Sequence, residues 1–150
     1  MAALLNAVAG NVGSAVGISR TWSSGLCDCM GDTGSCCDVY FCTPCQVSRQ
    51  CEAIDGRQNT MDTCLCCVAL IMENYGNGGV GTLAMILRYR FIAKYNITGE
   101  GVIQTFFNSM CCPLCSMCQT HRELSNMMLW PGGTCCGLTP PGPLKGITMG

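Results

Sequence analysis

The segment 111–124, CCPLCSMCQTHREL, concentrates the side chains that could bind a metal ion or exchange disulfides. Cys112, Cys115 and Cys118 are spaced by three, and the next step of three reaches a histidine. On a helix, residues three apart share a face, so two of these side chains could bind one zinc ion, which prefers four sulfur or nitrogen ligands in a tetrahedron. One helix cannot supply all four ligands, because each step of three turns the row by about 300°. The other ligands must come from elsewhere in the chain.

We expect them to come from a first cysteine block at residues 22–51. Within it, Cys42-Thr43-Pro44-Cys45 has a spacing that is typical of zinc knuckles and also of redox motifs. A structural zinc site that joins the two blocks is therefore our prediction. The preferred ligands are Cys42, Cys45, Cys115 and Cys118, and the further candidates are Cys27, Cys29, Cys112 and His121.

The cysteine count leaves the state of the thiols open. Sixteen of the 150 residues are cysteine, which is far above ordinary globular usage. In an oxidising compartment these residues would form disulfides, whereas in a reducing one they would bind metal or be inert buried thiols. Four adjacent Cys-Cys pairs favour the second case slightly, because neighbouring cysteines rarely bond each other. A small domain rich in glycine needs staples, and either metal or disulfides could supply them.

Charge and hydropathy narrow the function classes. Only 11% of the residues are charged, 49% are hydrophobic and the net charge is −1. A near-neutral chain lacks the basic surface of a nucleic-acid-binding protein, so we exclude nucleic acid as a partner. The composition instead fits a protein that contacts a membrane or is buried in a larger assembly. The partners we expect are membrane lipid and either other protein subunits or further copies of this chain.

The pattern of apolar residues predicts a mainly α-helical single domain with long loops and few strands. Residues 21–125 form the predicted cysteine-rich domain. Residues 1–20 are predicted to be a tail, a targeting segment or an interfacial segment, and residues 126–150 a Pro/Gly-rich tail that is ordered only where something binds it. The predicted helices lie near Cys42–Ile54, Asp62–Glu73, Thr82–Tyr95 and Val102–Ser125.

Membrane contact is predicted to involve two stretches. Residues 101–120 carry no formal charge and are the longest piece that could touch a bilayer, although Pro113 makes them a poor simple span. Residues 83–95 combine basic and aromatic side chains, which suits either a membrane interface or an ordinary amphipathic helix. The sequence leaves open whether the membrane is the plasma membrane or that of an organelle.

Four ordered motifs together resemble one protein family. They are WSSGLCDC at 22–29, FCTPC at 41–45, Arg88 with KYNITG at 94–99, and the segment 111–124. The pattern resembles the placenta-specific gene 8 family, which includes cornifelin, the plant cadmium-resistance proteins and the fruit-weight and cell-number regulators. The likeness covers about two-thirds of the chain and leaves out both tails.

This resemblance implies a small, cysteine-rich, membrane-associated protein linked to divalent-metal tolerance or efflux, calcium influx and control of cell number. It implies no shared catalytic activity, so we do not expect an enzyme. One departure concerns the acidic residue that members often carry a few positions after the glycine matching Gly99, where this chain has Val102-Ile103-Gln104. The cysteines that match the motifs of the family are Cys27, Cys29, Cys42, Cys45, Cys112, Cys115 and Cys118.

Two other functions remain as alternatives. The first is a non-catalytic accessory subunit of a large membrane complex, which the two tails favour. The second is a thiol–disulfide oxidoreductase that uses Cys42 and Cys45, and this function would require an exposed thiol with a low pKa. No thioredoxin-like pattern surrounds that motif. The lone His121 is expected at a helix end or on the surface rather than as a catalytic base.

Overall fold

The computed structural model describes residues 20–75, 78–133 and 135. These residues are mainly helical, which confirms the predicted class, and they contain no strand beyond a single parallel bridge between Arg20 and Ile97. A short 3-10 helix, Cys29–Asp32, leads into the first α-helix. The α-helices are α1 Thr33–Phe41, α2 Thr43–Ile54, α3 Thr63–Tyr75, α4 Gly79–Tyr95, α5 Val102–Cys111 and α6 Pro113–Asn126.

The single helix expected over residues 102–125 is wrong, because the chain breaks at Cys112. This residue has φ −141° and ψ 73°, outside the helical region. It is both the C-cap of α5 and the N-cap of α6. Pro113 follows as the first residue of α6, where its missing N–H group would have no partner in any case. The proline therefore begins a helix here instead of interrupting one.

The helix α1 lies in a stretch for which no helix was predicted. Asp32 caps the N-terminus of this helix. Its carboxylate accepts a hydrogen bond from the Ser35 N–H at 3.2 Å and so satisfies a donor of the first helical turn. The helix ends at Phe41, one residue before Cys42. Asp32 thus serves as the helix cap, and Gly34 lies in the first turn.

The helix α6 is the centre of the fold. Every residue from Ser116 to Leu124 is buried, because α1, α2, α4 and α5 all pack against this helix. Phe91, Leu87 and Ile54 complete the core around it, and each is at most 1% exposed. A helix covered on all sides is expected to carry polar side chains only where they have partners.

Two extended segments bind across the helices, and we call them the N-terminal strap (residues 20–25) and the C-terminal strap (residues 129–133). Glu123 accepts hydrogen bonds from both the N–H and the hydroxyl of Ser23, each at 2.7 Å. The Gln46 amide donates to the Gly132 carbonyl at 3.0 Å, and Gly132 has φ +94°, a conformation that favours glycine. The first part of the expected C-terminal tail is thus held by the helices, whereas residues 1–19 and 136–150 lie outside the described residues.

Candidate functional site

The pattern Cys-x-x-Cys occurs at two junctions between helices, and these junctions share the same local structure. We call residues 42–45 the first junction and residues 112–115 the second junction. Cys42 separates α1 from α2 just as Cys112 separates α5 from α6, and both have non-helical backbone angles. The carbonyl of Cys42 accepts from the Gln46 N–H at 3.0 Å, and the carbonyl of Cys112 accepts from the Ser116 N–H at 3.0 Å. Each junction therefore places its second cysteine in the first turn of the following helix.

The sulfur atoms of the two junctions have different partners. Cys112 and Cys115 are joined by a disulfide bond within their own junction. The Cys45 sulfur instead lies 3.6 Å from the sulfur of Cys66 on α3, without a bond between them. The second junction thus contains an internal disulfide, whereas the first junction contacts a thiol on the neighbouring helix α3.

Cys42 of the first junction and Cys66 on α3 are both held in the protonated thiol form. A hydrogen bond with the Cys135 thiol, burial and the negative charge of Cys135, Asp38 and Cys45 raise the pKa of Cys42 to about 12. Burial and a hydrogen bond with Cys45 raise the pKa of Cys66 to about 11. A thiol–disulfide oxidoreductase needs a thiol whose pKa is lowered, so these shifts argue against that activity at this junction.

The preferred zinc ligands are not gathered around one point. Cys115 is bonded to Cys112, Cys118 is buried in the core, and the two cysteines of the first junction contact other thiols. Among the residues that the structure describes, no group of three or more His, Cys, Asp or Glu side chains has the arrangement of a metal site. The sulfurs as placed do not fit one zinc ion, and zinc binding by this set stays a prediction.

The further candidates are scattered as well. Cys27 is exposed, and Cys29 starts the 3-10 helix. His121 is only 2% exposed in the interior of α6, so the expectation of a helix-end or surface position is wrong. Burial lowers the pKa of His121, and the opposing effects of Asp32, the Gly132 carbonyl and Asp38 do not reverse this shift. The imidazole is therefore neutral in the folded protein near pH 7.

A buried ion pair, which the sequence pattern did not predict, joins α4 to Glu100, two residues before the first residue of α5. Arg88 donates through Nε and one terminal nitrogen to the two carboxylate oxygens of Glu100, both at 2.6 Å. The two side chains are 1% and 2% exposed. The Trp22 ring of the N-terminal strap covers the guanidinium at 4.1 Å, and the Thr105 hydroxyl donates to Glu100 at 2.9 Å. Arg88 also donates to the Ser116 hydroxyl at 3.3 Å.

The electrostatics of this pair explain why it can be buried. Burial alone would raise the pKa of Glu100, but the hydrogen bonds and positive charge of Arg88, with the hydrogen bond from Thr105, outweigh that effect and lower it. The carboxylate of the pair, Glu100, directly follows Gly99 in the sequence. A clue was available, because Arg88 follows five consecutive apolar residues, 83–87, and a buried arginine needs a carboxylate partner.

The helix α5 has its polar face inside and its apolar face outside. Thr105 and Ser109 are buried against the ion pair and α6, whereas four large apolar side chains on the same helix are 47–75% exposed. Over the described residues, every helix is too short or too polar to cross a membrane. The exposed apolar side chains are Val102, Ile103, Phe106 and Phe107.

Comparison with known proteins identifies the family. The PLAC8 family profile matches residues 22–123. This chain belongs to the PLAC8 family. The matched region of this PLAC8 chain begins at Trp22, which covers Arg88, and ends at Glu123, which binds the N-terminal strap. The resemblance inferred from the four motifs is thereby confirmed.

Three relatives illustrate the range of this PLAC8 family. Protein PLANT CADMIUM RESISTANCE 2 of Arabidopsis thaliana is 30% identical over 70% of this chain and 67% of its own length. Cell number regulator 3 of Zea mays is 31% identical over 72% of this chain and 64% of its own length. Placenta-specific gene 8 protein of Homo sapiens is 29% identical over 71% of this chain and 74% of its own length. No solved structure matches the chain.

Proposed function

We propose that this protein binds a membrane surface through α5 and takes part there in the handling of divalent metal ions, without catalysing a reaction. The names of two Arabidopsis relatives, plant cadmium resistance 1 and 2, support the metal-ion part of this proposal. The names of the relatives describe resistance proteins and regulators, which supports a non-catalytic role.

The observation that carries the membrane part is the reversed polarity of α5. A helix that packs on a water-soluble core normally buries its apolar residues and exposes its polar ones. Here Ile103 is 75% exposed and Phe107 58%, while the buried positions carry the hydroxyls of Thr105 and Ser109. Large exposed apolar patches are typical of membrane or protein contact sites. The helix itself carries no charge that would oppose insertion into the headgroup region.

The basic side chains of α4 are engaged within the protein and do not form a separate membrane-binding face. Arg88 is in the buried ion pair, whereas Arg90 and Lys94 both reach the carboxylate of Asp55, at 3.1 Å and 3.7 Å. The membrane contact we propose is therefore hydrophobic, and it should depend little on salt or on anionic lipid.

Accessible thiols support the metal-ion part. Thiolates are soft ligands and favour ions such as zinc and cadmium over magnesium or calcium. Zinc binding by the preferred set would additionally require reduction of the Cys112–Cys115 bond. The free cysteines at exposed positions include Cys37, Cys64, Cys67 and Cys111.

Flotation with phosphatidylcholine vesicles tests the membrane part. The substitution Ile103→Asp places a charge on the apolar face and should abolish flotation. Gln104→Asp adds the same charge to a neighbouring exposed position of the same helix and should leave flotation intact, because Gln104 is already polar. Equal flotation of the two variants, or no flotation of the wild-type protein, would contradict the proposal. Circular dichroism of both variants controls for the loss of the helix.

Cadmium titration of the purified, reduced protein tests the metal-ion part. We expect the ultraviolet absorption of cadmium thiolates to grow until the sites are saturated, and we expect no such absorption from protein whose thiols were alkylated beforehand. A reduced protein that shows no absorption change would contradict this part and leave the membrane part standing.

The same surface favours a second candidate function, that of a non-catalytic subunit in a membrane complex. An open groove between α4 and α5 adjoins the exposed face and extends the apolar surface that a partner subunit would cover. It is lined by Met85, Ile86, Tyr89, Val102 and Thr105. If this function holds, Ile103→Asp should change the oligomeric state of the protein in detergent, measured by light scattering, and Gln104→Asp should not.

A further inference from the structure

Two thiols lie close together at the contact between α2 and α3, and one of them, Cys45, is also a predicted zinc ligand. Cys45 lies in the first turn of α2 and Cys66 in the first turn of α3, and their sulfur atoms are 3.6 Å apart. Cys66 is 8% exposed and Cys45 is half-buried. The pair is therefore shielded on the side of α3 and accessible to a small reagent on the side of α2.

The two helix starts are held together by contacts other than the thiols. The Ser48 hydroxyl on α2 donates to the Asp62 carbonyl at 2.7 Å, and the Asp62 carboxylate accepts from the Cys64 N–H at 2.8 Å at the start of α3. The sulfurs are thus kept near each other by the backbone geometry. A disulfide requires a separation of about 2 Å, so the two sulfur atoms would have to approach each other by about 1.5 Å to be joined.

We propose that Cys45 and Cys66 are an oxidation site at which hydrogen peroxide forms a disulfide cross-link between α2 and α3. One thiolate attacks an oxygen of peroxide, which breaks the O–O bond and gives a sulfenic acid and hydroxide. The second thiolate then displaces the hydroxyl from that sulfur, and the S–S bond forms. In sum, two thiols and one peroxide give one disulfide and two water molecules, with two electrons passing from sulfur to oxygen.

Two other cysteines on α3 provide a matched control. Cys64 and Cys67 lie on either side of Cys66 in the sequence and are both exposed and free. If oxidation depended on exposure alone, these two thiols would react first. If it depends on the contact with α2, as we propose, Cys66 reacts with Cys45 in preference.

The test is peroxide treatment of the full chain, followed by alkylation of the remaining thiols and mass mapping of unreduced peptides. We expect a cross-linked peptide pair that contains Cys45 and Cys66 in the wild-type protein and in Cys64→Ser, and none in Cys66→Ser or Cys45→Ser. The oxidised wild-type protein should also melt at a higher temperature than the reduced protein, because the cross-link closes a loop between residues 21 apart.

Two results would overturn this proposal. One is alkylation of both Cys45 and Cys66 after exhaustive oxidation. The other is a cross-link from Cys45 to Cys64 or Cys67 at the same yield as to Cys66. These readouts include neither vesicle binding nor cadmium binding, so failure of this proposal can be distinguished from failure of the function proposed above.

Discussion

Two buried polar clusters border α6, and they differ in how completely their hydrogen bonds are satisfied. The ion-pair cluster, toward α4 and α5, consists of Arg88, Glu100, Thr105 and Ser116 under the Trp22 ring. The amide cluster, toward α2 and the C-terminal strap, consists of Gln46, Gln50 and His121.

In the ion-pair cluster both carboxylate oxygens of Glu100 accept hydrogen bonds from Arg88. In the amide cluster Gln46 donates to Asp38 and to the C-terminal strap, yet its own carbonyl oxygen and the Nδ1 atom of His121 find no donor among the described residues. The first cluster should therefore respond sharply to loss of one member, and the second should respond mainly to pH. The predictions below test this contrast.

The largest effect is expected from Glu100→Gln. Removing one charge of a buried pair leaves the other unpaired, which costs about 3–5 kcal/mol in the free energy of unfolding. Urea denaturation measures the loss. Glu52→Gln is the control, because Glu52 pairs with the exposed Arg57 and its loss should be much smaller. Equal losses for the two variants would show that the pair at Arg88 has no special role.

Trp22→Ala should have the next largest effect, about 3 kcal/mol, because the ring packs on both Arg88 and Phe91. Trp22→Phe keeps an aromatic face over the guanidinium and should restore most of the stability. The midpoint temperatures of thermal denaturation of the two variants test this expectation. If the phenylalanine variant were as unstable as the alanine variant, ring contact would not be what holds the N-terminal strap.

A smaller loss is expected from Thr105→Val, which keeps the shape of the side chain and removes one hydrogen bond to the charged Glu100. The expected loss is about 1.5–3 kcal/mol in the free energy of unfolding. Thr105→Ser retains the hydroxyl and serves as the control in the same urea titration. A valine variant with wild-type stability would mean that Arg88 alone satisfies the carboxylate.

The amide cluster should show its effect only as the pH falls. Since the pKa of His121 is lowered in the folded protein from its usual 6.5, the unfolded chain binds the proton more readily, and stability is lost as the pH drops below 6.5. Glu100 acts in the same direction at lower pH, because its lowered pKa stabilises the fold above its usual 4.5. His121→Gln should flatten the stability profile just below pH 6.5 and leave the more acidic loss unchanged. Melting temperatures across this range provide the measurement.

Much of the helical framework could be predicted because it depends on local pattern. The helices α2, α3 and α4 begin and end within three residues of their expected limits, since apolar periodicity and flanking Gly, Asp and Asn residues mark them. The break at Cys112 was missed, because a proline after several helical residues can either kink a helix or start a new one. Tertiary packing on both sides of α6 selects the second outcome.

The candidate sites were harder to predict because they depend on contacts between distant residues. Arg88 and Glu100 are twelve residues apart, and nothing in the helix pattern shows that both side chains turn inward. The pairing of Cys45 with Cys66 follows from the packing of α2 on α3, whereas cysteine spacing favoured a link between the first junction and α6. Spacing alone identified the cysteines of the two junctions but not their partners.

The attachment of the N-terminal strap to α6 also affects how the chain can fold. Ser23 and Glu123 are separated by 100 residues, and Arg122 binds the carbonyl of Gly25 across a similar distance. Contacts so distant in sequence slow folding, because a long loop must close before they form. During synthesis the N-terminal strap leaves the ribosome long before α6, which provides its binding site. Trp22 therefore stays exposed for most of translation. The release of α6, rather than of α1, should therefore set the moment at which this domain becomes resistant to proteases.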